Sequence, residues 1–155
     1  MSEVIYREAT NNECKILSQL AYESEAYWQY SQEFMDIFKE KYSITAERLQ
    51  LYRPRVLEVE EKIIGFWGGE KRNKKLELEY FYIAAEYIGK GYGKLLWQDL
   101  LSWCNMQGIL EIELVTSNQA VPFYEKQGAT VIGRVNSEID GRPIPLLRYR
   151  MKEGE

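Results

Sequence analysis

The stretch Ile88-Gly89-Lys90-Gly91-Tyr92-Gly93-Lys94 decides how the rest of this chain is read. It follows a run with strand character, Leu76 to Ile83. It opens a run with helical periodicity, Gly91 to Cys104, in which Leu96, Leu100 and Trp103 with Trp97, Leu101 and Cys104 form a wide apolar face. Glycines at alternate positions let the backbone turn sharply and approach a ligand without Cβ clashes. The first N–H groups of a helix have no internal partner, and the helix dipole is positive there. A diphosphate satisfies both conditions, and Lys90 and Lys94 add positive charge nearby. Other readings of the same loop compete. A P-loop requires GxxxxGK[ST], but Gly89 to Gly93 is one residue short and Leu95 stands where Ser or Thr would hold magnesium. A Rossmann loop requires GxGxxG, which Gly89, Gly91 and Gly93 do not supply. The remaining alternative is a glycine-rich turn that binds nothing.

Working outward, Val4 to Glu8 reads as a first strand. Asn11 or Asn12 is expected to cap a helix running to about Ser24, with Ile16, Leu17, Leu20 and Ala21 on one face. Ser31 is expected to cap a second helix carrying Phe34, Met35, Ile37 and Phe38, and Thr45 to Leu51 reads as another short helical stretch. After Pro54 the texture changes. Arg55 to Val59 and Lys62 to Gly68 read as strands joined by a tight turn at Glu60-Glu61, and Asn73-Lys74-Lys75 marks a second turn. Beyond the glycine loop, Gly108 ends the helix and Ile109 to Thr116 is a strand with Glu111 and Glu113 alternating. Ala120 to Gln127 is a short helix stopped by Gly128. Ala129 to Val135 and Leu146 to Met151 read as a closing hairpin with a long link containing Asp140-Gly141-Arg142-Pro143. Strand-helix-strand units mixed with hairpins predict an α/β or α+β fold with a mixed sheet.

Composition bounds the function classes. The 155 residues, 45% of them hydrophobic, suit one domain with a real core. A net charge of −4 disfavours a nucleic-acid binder, which presents a basic face. There is no histidine, and Cys14 and Cys104 stand far apart. That excludes a Cys/His zinc site and any Ser-His-Asp or Cys-His pair, so no metal is expected. Met1 to Glu8 lacks an apolar signal core, and no run approaches the ~20 apolar residues of a membrane span. A cytoplasmic protein is expected.

The loop together with a downstream block resembles the GCN5-related N-acetyltransferase (GNAT) family. That family's central motif, Q/R-x-x-G-x-G/A, follows its fourth strand and opens its third helix. Ile88 to Gly93 matches its glycines, and Lys94-Leu95-Leu96 continues as in many members. Downstream, Ala120-Val121-Pro122-Phe123-Tyr124-Glu125-Lys126-Gln127-Gly128 resembles A-x-x-F-Y-E-K-x-G. The segment Ser24 to Met35, with Trp28 and Phe34-Met35, is similar to a bacterial subgroup of the family. The match runs from about Val4 to Met151 and is specific from Leu76 to Gly128. Among its departures, Ile88 replaces the usual Gln or Arg, a position that acts largely through its backbone, and Ala85 replaces a frequent proline. Asn118 stands two residues before Ala120, where the common spacing is three.

The resemblance implies a GNAT-type mixed, mostly antiparallel sheet flanked by helices, in a single domain over residues 1–155, with a cleft where the fourth and fifth strands splay. It implies acetyl-CoA as cofactor and coenzyme A as product. The donor's diphosphate would meet Ile88, Gly89, Lys90, Gly91, Tyr92, Gly93 and Lys94. Its pantetheine would lie along Phe81, Tyr82 and Ile83 and past Asn118, with a backbone N–H there as oxyanion donor. Tyr124 takes the position of the family's tyrosine acid. A phenol near pKa 10 can protonate a departing thiolate in a favourable site; a packed aromatic beside Phe123 is the alternative. Glu77 and Glu79 match positions where family members carry a base. Two apart on a strand, they are expected on one face with Phe81 and Ile83; a solvated strand face is the alternative. Tyr27 and Trp28 are expected to line the acceptor pocket or to cap the core. The acceptor is expected to be a primary amine of a small molecule or a protein, and family analogy implies a homodimer. The rival functions are a non-catalytic acyl-CoA-binding module and a nucleotide-binding protein using the same loop.

Overall fold

Helix starts follow local hydrogen-bonding chemistry. A computed structural model of the chain describes residues 3–152; Met1 and Ser2, part of the N-terminus read above, and residues 153–155 lie outside the described residues. The first helical segment begins one or two residues earlier than expected. Thr10, not Asn11 or Asn12, is its cap, and the Thr10 N–H donates to Glu13 Oε1 at 2.8 Å. After that single 3-10 turn, α1 spans Cys14–Ala26. Helix α2 (Gln32–Tyr42) starts at Ser31, whose hydroxyl oxygen accepts from the Phe34 N–H. Thr45 caps α3 (Ala46–Tyr52) in the same way. Helix α4 spans Tyr92–Met106 and α5 spans Val121–Lys126. No helix among the described residues is long and apolar enough to cross a membrane.

The strands are β1 (Val4–Glu8), β2 (Arg55–Val59), β3 (Lys62–Arg72), β4 (Lys75–Ile83), β5 (Glu111–Val115), β6 (Thr130–Asn136) and β7 (Pro143–Arg150). They form one seven-stranded sheet in the order β1-β2-β3-β4-β5-β7-β6. Only β4 and β5 pair in parallel; every other neighbouring pair is antiparallel. The sheet buries both faces. Leu57, Leu76, Ile112 and Leu147 pack with Leu96, Trp97 and Leu100 of α4. Val56, Phe66 and Tyr80 pack with Leu17 and Leu20 of α1 and Met35 and Phe38 of α2. Helices α1 to α3 thus cover one face and α4 with α5 the other. An ion pair pins α4 from its polar flank: Asp99 accepts from Arg55 Nε and from the Trp67 indole N–H, both at 2.9 Å.

Two irregularities position the site. Gly68 pairs with Tyr80 but Gly69 with Leu78, so Glu79 is an extra residue in β4. The alternation changes phase there. Leu76 and Leu78 join the α4 core, Tyr80 and Tyr82 the opposite core, and Phe81 and Ile83 the α4 core again. The expectation that Glu77 and Glu79 share a face with Phe81 and Ile83 is therefore wrong: Glu77 stands opposite Leu76 and Leu78, on the α1–α2 side. The second irregularity is a splay. Strands β4 and β5 pair only from Lys75 opposite Glu111 to Leu78 opposite Leu114. Past Leu78, β4 continues to Ile83 with no strand on that edge, while β5 follows β7, with Val115 opposite Leu146.

Candidate active site

The glycine loop has the backbone its sequence demands. Gly89 (φ +82°) and Gly91 (φ +90°) both sit in the left-handed region, where a Cβ is strained. A Cβ at either would meet nothing within 4 Å, so the bend is open rather than filled by the protein's own side chains. Gly91 is the residue from which α4 starts, and no side chain caps that end. The first N–H groups of α4 are thus free to bind, at the positive end of a 15-residue helix. Gly93 serves a different need: a Cβ there would come within 2.9 Å of Phe123 Cε1. The third glycine therefore lets α5 pack against the first turn of α4. These features fit a diphosphate cradled by backbone donors. Lys90 is exposed, with its ammonium 5.7 Å from the Tyr87 ring centroid, and Lys94 is exposed beside it.

Downstream of the loop, a cavity of about 790 Å³ opens where β4 and β5 part. Glu77, Glu79, Phe81 and Tyr82 of β4 line it, as do Asn118 and Tyr124. Trp28 of the link between α1 and α2 also lines it, whereas Tyr27 is not part of its wall. The two rings meet edge-on at 5.1 Å, and both are exposed (49% for Tyr27, 41% for Trp28). The expectation that they cap the core is therefore wrong, and of the two only Trp28 reaches the pocket. Across the mouth, Gln119 Nε2 donates to the Tyr30 hydroxyl, tying the α1–α2 link to the segment after β5. Asn118 opens a short 3-10 turn, Asn118–Ala120, that precedes α5; the helix expected from Ala120 to Gln127 is α5, one residue shorter at each end. Ile83 is buried in the α4 core, and its side chain does not reach the cavity.

Tyr124 is held by rings on several sides. Phe81 and Trp97 lie edge-on to it at 5.8 Å each, and Phe123 at 5.1 Å. It is 6% exposed. Burial, with a smaller contribution from the charge of Glu25, pushes its phenol well above the ordinary value, so it keeps its proton at neutral pH. Its hydroxyl has no hydrogen-bond partner among the described residues.

The carboxylates of the cavity differ in their company. Glu77 faces Arg72 Nε at 3.5 Å and Glu113 faces Lys75 Nζ at 3.2 Å. Asp140 accepts from Arg142 Nε at 2.6 Å. Glu79 is half-buried; desolvation raises its pKa, opposed by the Tyr52 hydroxyl and Arg48. Glu25, in the last turn of α1, also lines the cavity, and its carboxylate has no partner among the described residues. Sequence reasoning passed over this residue. The signal was available: Glu25 falls four residues after Ala21 and eight after Leu17, on the buried stripe of α1, where a charged group is out of place.

With this geometry in place, comparison with known proteins identifies the chain. Residues 17–129 match the model of the acetyltransferase (GNAT) family. The chain belongs to the GNAT family. This GNAT chain is similar to the PaiA N-acetyltransferase of Thermoplasma acidophilum, solved in complex with coenzyme A. The identity is 25%, over 96% of this chain and 99% of that one, with a TM-score of 0.79. A GCN5-related N-acetyltransferase from Rhodopseudomonas palustris shares the fold at 17% identity, covering 97% of this chain and 98% of that one, with a TM-score of 0.80. The ribosomal-protein-S18-alanine N-acetyltransferase of Escherichia coli does so at 12% identity, with 99% of each chain covered and a TM-score of 0.72. No curated protein sequence matches the chain significantly. As a GNAT protein it is an acetyltransferase whose acyl donor is acetyl-CoA.

Proposed function

We propose that this GNAT domain, spanning residues 1–155, transfers the acetyl group of acetyl-CoA to a primary amine of a small molecule or protein by direct attack in a ternary complex. The observation that carries the reading is the junction of two features: an open, uncapped start of α4 and an unpaired β4 edge leading from it to Tyr124. Ile88 to Lys94 hold the diphosphate, chiefly through N–H groups. Phe81, Tyr82 and Ile83 present main-chain groups along the free edge, and one N–H there stabilises charge developing on the carbonyl oxygen. Asn118 lies beside the same channel. Acetyl-CoA supplies an activated acyl carbon and a thiolate leaving group. Tyr124 gives its proton to that sulfur. The acceptor enters from the Trp28 side. Its charge is matched by a wall that carries Glu25, Glu77, Glu79, Glu113 and Asp140 against the single cation Arg142 among its described residues.

The sheet ends at β6, whose Val131, Ile132 and Val135 are exposed. That edge supports the reading of a homodimer, which light scattering after size exclusion tests. The function is tested by thiol release from acetyl-CoA across a panel of amines, with Tyr124→Phe beside the wild type. Loss of roughly 100-fold or more in turnover, with unchanged acetyl-CoA affinity, is expected of a general acid. Equal turnover by the two proteins refutes the role of Tyr124. Binding of acetyl-CoA without turnover of any amine refutes the enzyme.

A further inference from the structure

We propose that Glu25 is the general base that takes the first proton from the attacking ammonium. The inference rests on the function proposed above, in which amine and thioester meet in the cavity beside Tyr124. A primary ammonium has a pKa near 10 and no lone pair for attack, so a nearby acceptor must remove its proton. Pairing sorts the carboxylates of the cavity wall. Glu77, Glu113 and Asp140 face Arg72, Lys75 and Arg142, and Glu79 stands with Tyr52 and Arg48. Only Glu25 among them has neither an ion pair nor a hydrogen bond to its carboxylate from the described residues.

Its surroundings come from every side of the cavity: Tyr30 from the α1–α2 link, Tyr42 from α2, Tyr82 from β4 and Tyr124 from α5. The negative charge of Glu25 raises the pKa of each of these phenols. Glu79 of β4 and the Asp140–Arg142 pair of the link before β7 share the cavity with it. A lone carboxylate in that setting is costly to keep charged. Burial pushes Glu25 up to about 7, so near neutrality the carboxylate and the acid are comparably populated. That is the match to working pH that efficient base catalysis requires. No structural role accounts for an unpaired carboxylate on the buried stripe of α1.

Two protons leave the amine nitrogen. The first goes to the Glu25 carboxylate and from it to solvent. The freed lone pair forms the bond to the acetyl carbon, and the carbon–sulfur bond breaks with its electrons on sulfur. Tyr124 protonates that sulfur, and the second amine proton returns to the Tyr124 phenolate. The products are a neutral amide, the free thiol and one proton in solution.

The test is the pH dependence of kcat/KM at saturating acetyl-CoA for wild type, Glu25→Gln and Glu79→Gln, with a carboxyl titration read by infrared difference between wild type and Glu25→Gln. Wild type should gain activity as pH rises through about 7, where Glu25 ionises. Glu25→Gln should lose roughly 100-fold or more near pH 7 and then gain rate steadily up to the amine's own pKa near 10. Glu79→Gln should keep the wild-type limb, and the carboxyl lost in Glu25→Gln should titrate near 7. An unchanged limb and rate in Glu25→Gln overturns the proposal. So does loss of the limb in Glu79→Gln, or a Glu25 carboxyl that titrates at the ordinary value near 4.3. Should wild type turn over no amine while Glu25 still titrates near 7, the proposed function is what has failed, and the role falls with it.

Discussion

Replacing Gly91 with alanine separates the backbone account of the loop from a merely steric one. The added methyl meets nothing within 4 Å, so contact costs nothing. The residue sits at φ +90° and ψ −3°, a left-handed conformation that costs an L-residue about 1–2 kcal/mol. If the loop keeps its shape, that cost appears as lost stability, roughly 2–8 °C in Tm for a chain of this size. If the loop relaxes, Gly91 rotates out of the left-handed region and the first N–H groups of α4 turn away from the diphosphate. Each charge-assisted hydrogen bond then lost weakens binding by about 1.5–3 kcal/mol, or about ten- to a hundred-fold in Kd. Thermal unfolding of the free protein and calorimetric titration with coenzyme A distinguish the two routes, and one or the other must appear. Asparagine tolerates the left-handed region, so Gly91→Asn should lie between alanine and wild type. An alanine variant with wild-type Tm and wild-type Kd refutes the reasoning.

Other consequences follow from packing and charge. Asp99→Ala strips the acceptor from both Arg55 and the Trp67 indole N–H. Both donors sit against α4, so urea unfolding should show a loss of about 3 kcal/mol. Glu13 accepts from both terminal nitrogens of Arg7, and these hydrogen bonds hold its carboxyl at about 2, below the usual 4.5. A folded-state pKa that is lowered contributes stability above pH 4.5, which is lost as the pH falls toward 2. Between pH 5 and pH 3 the Tm of wild type should therefore fall further than that of Glu13→Gln.

Much of this architecture could be read along the chain because its signals are local. The strand before the glycine loop, the loop and the helix after it need only spacing and periodicity. Turns at Glu60-Glu61 and Asn73 were legible from composition, and Glu60, Glu61 and Asn73 all take positive φ. The same sequence also carried a threonine three residues before Glu13, which marks the true start of the first helical turn. Asn11 and Asn12, residue types that also suit a cap, lie inside that turn.

What stayed hidden depends on pairing across strands. The extra residue at Glu79 leaves no mark in β4 itself; it arises from how Gly68 and Gly69 of β3 meet Leu78 and Tyr80. Simple alternation therefore misplaced the two strand glutamates relative to Phe81 and Ile83. Glu25 was missed for a related reason. A family pattern directs attention to β4 for a base, whereas the acidic group without a partner comes from α1, which reaches the cavity only in the folded chain. Tyr124 could be found from its motif, but the box of Phe81, Trp97 and Phe123 that fixes its ring required three dimensions.

Main-chain donors at the start of α4 holding the diphosphate, with the thioester led along the free β4 edge to Tyr124, are what a crystal structure of the acetyl-CoA complex tests most directly. Phosphate oxygens should lie within about 3 Å of N–H groups around Gly91 to Lys94, with the sulfur within reach of the Tyr124 hydroxyl. Diphosphate density away from that loop, or a thioester outside the β4–β5 opening, would contradict the account.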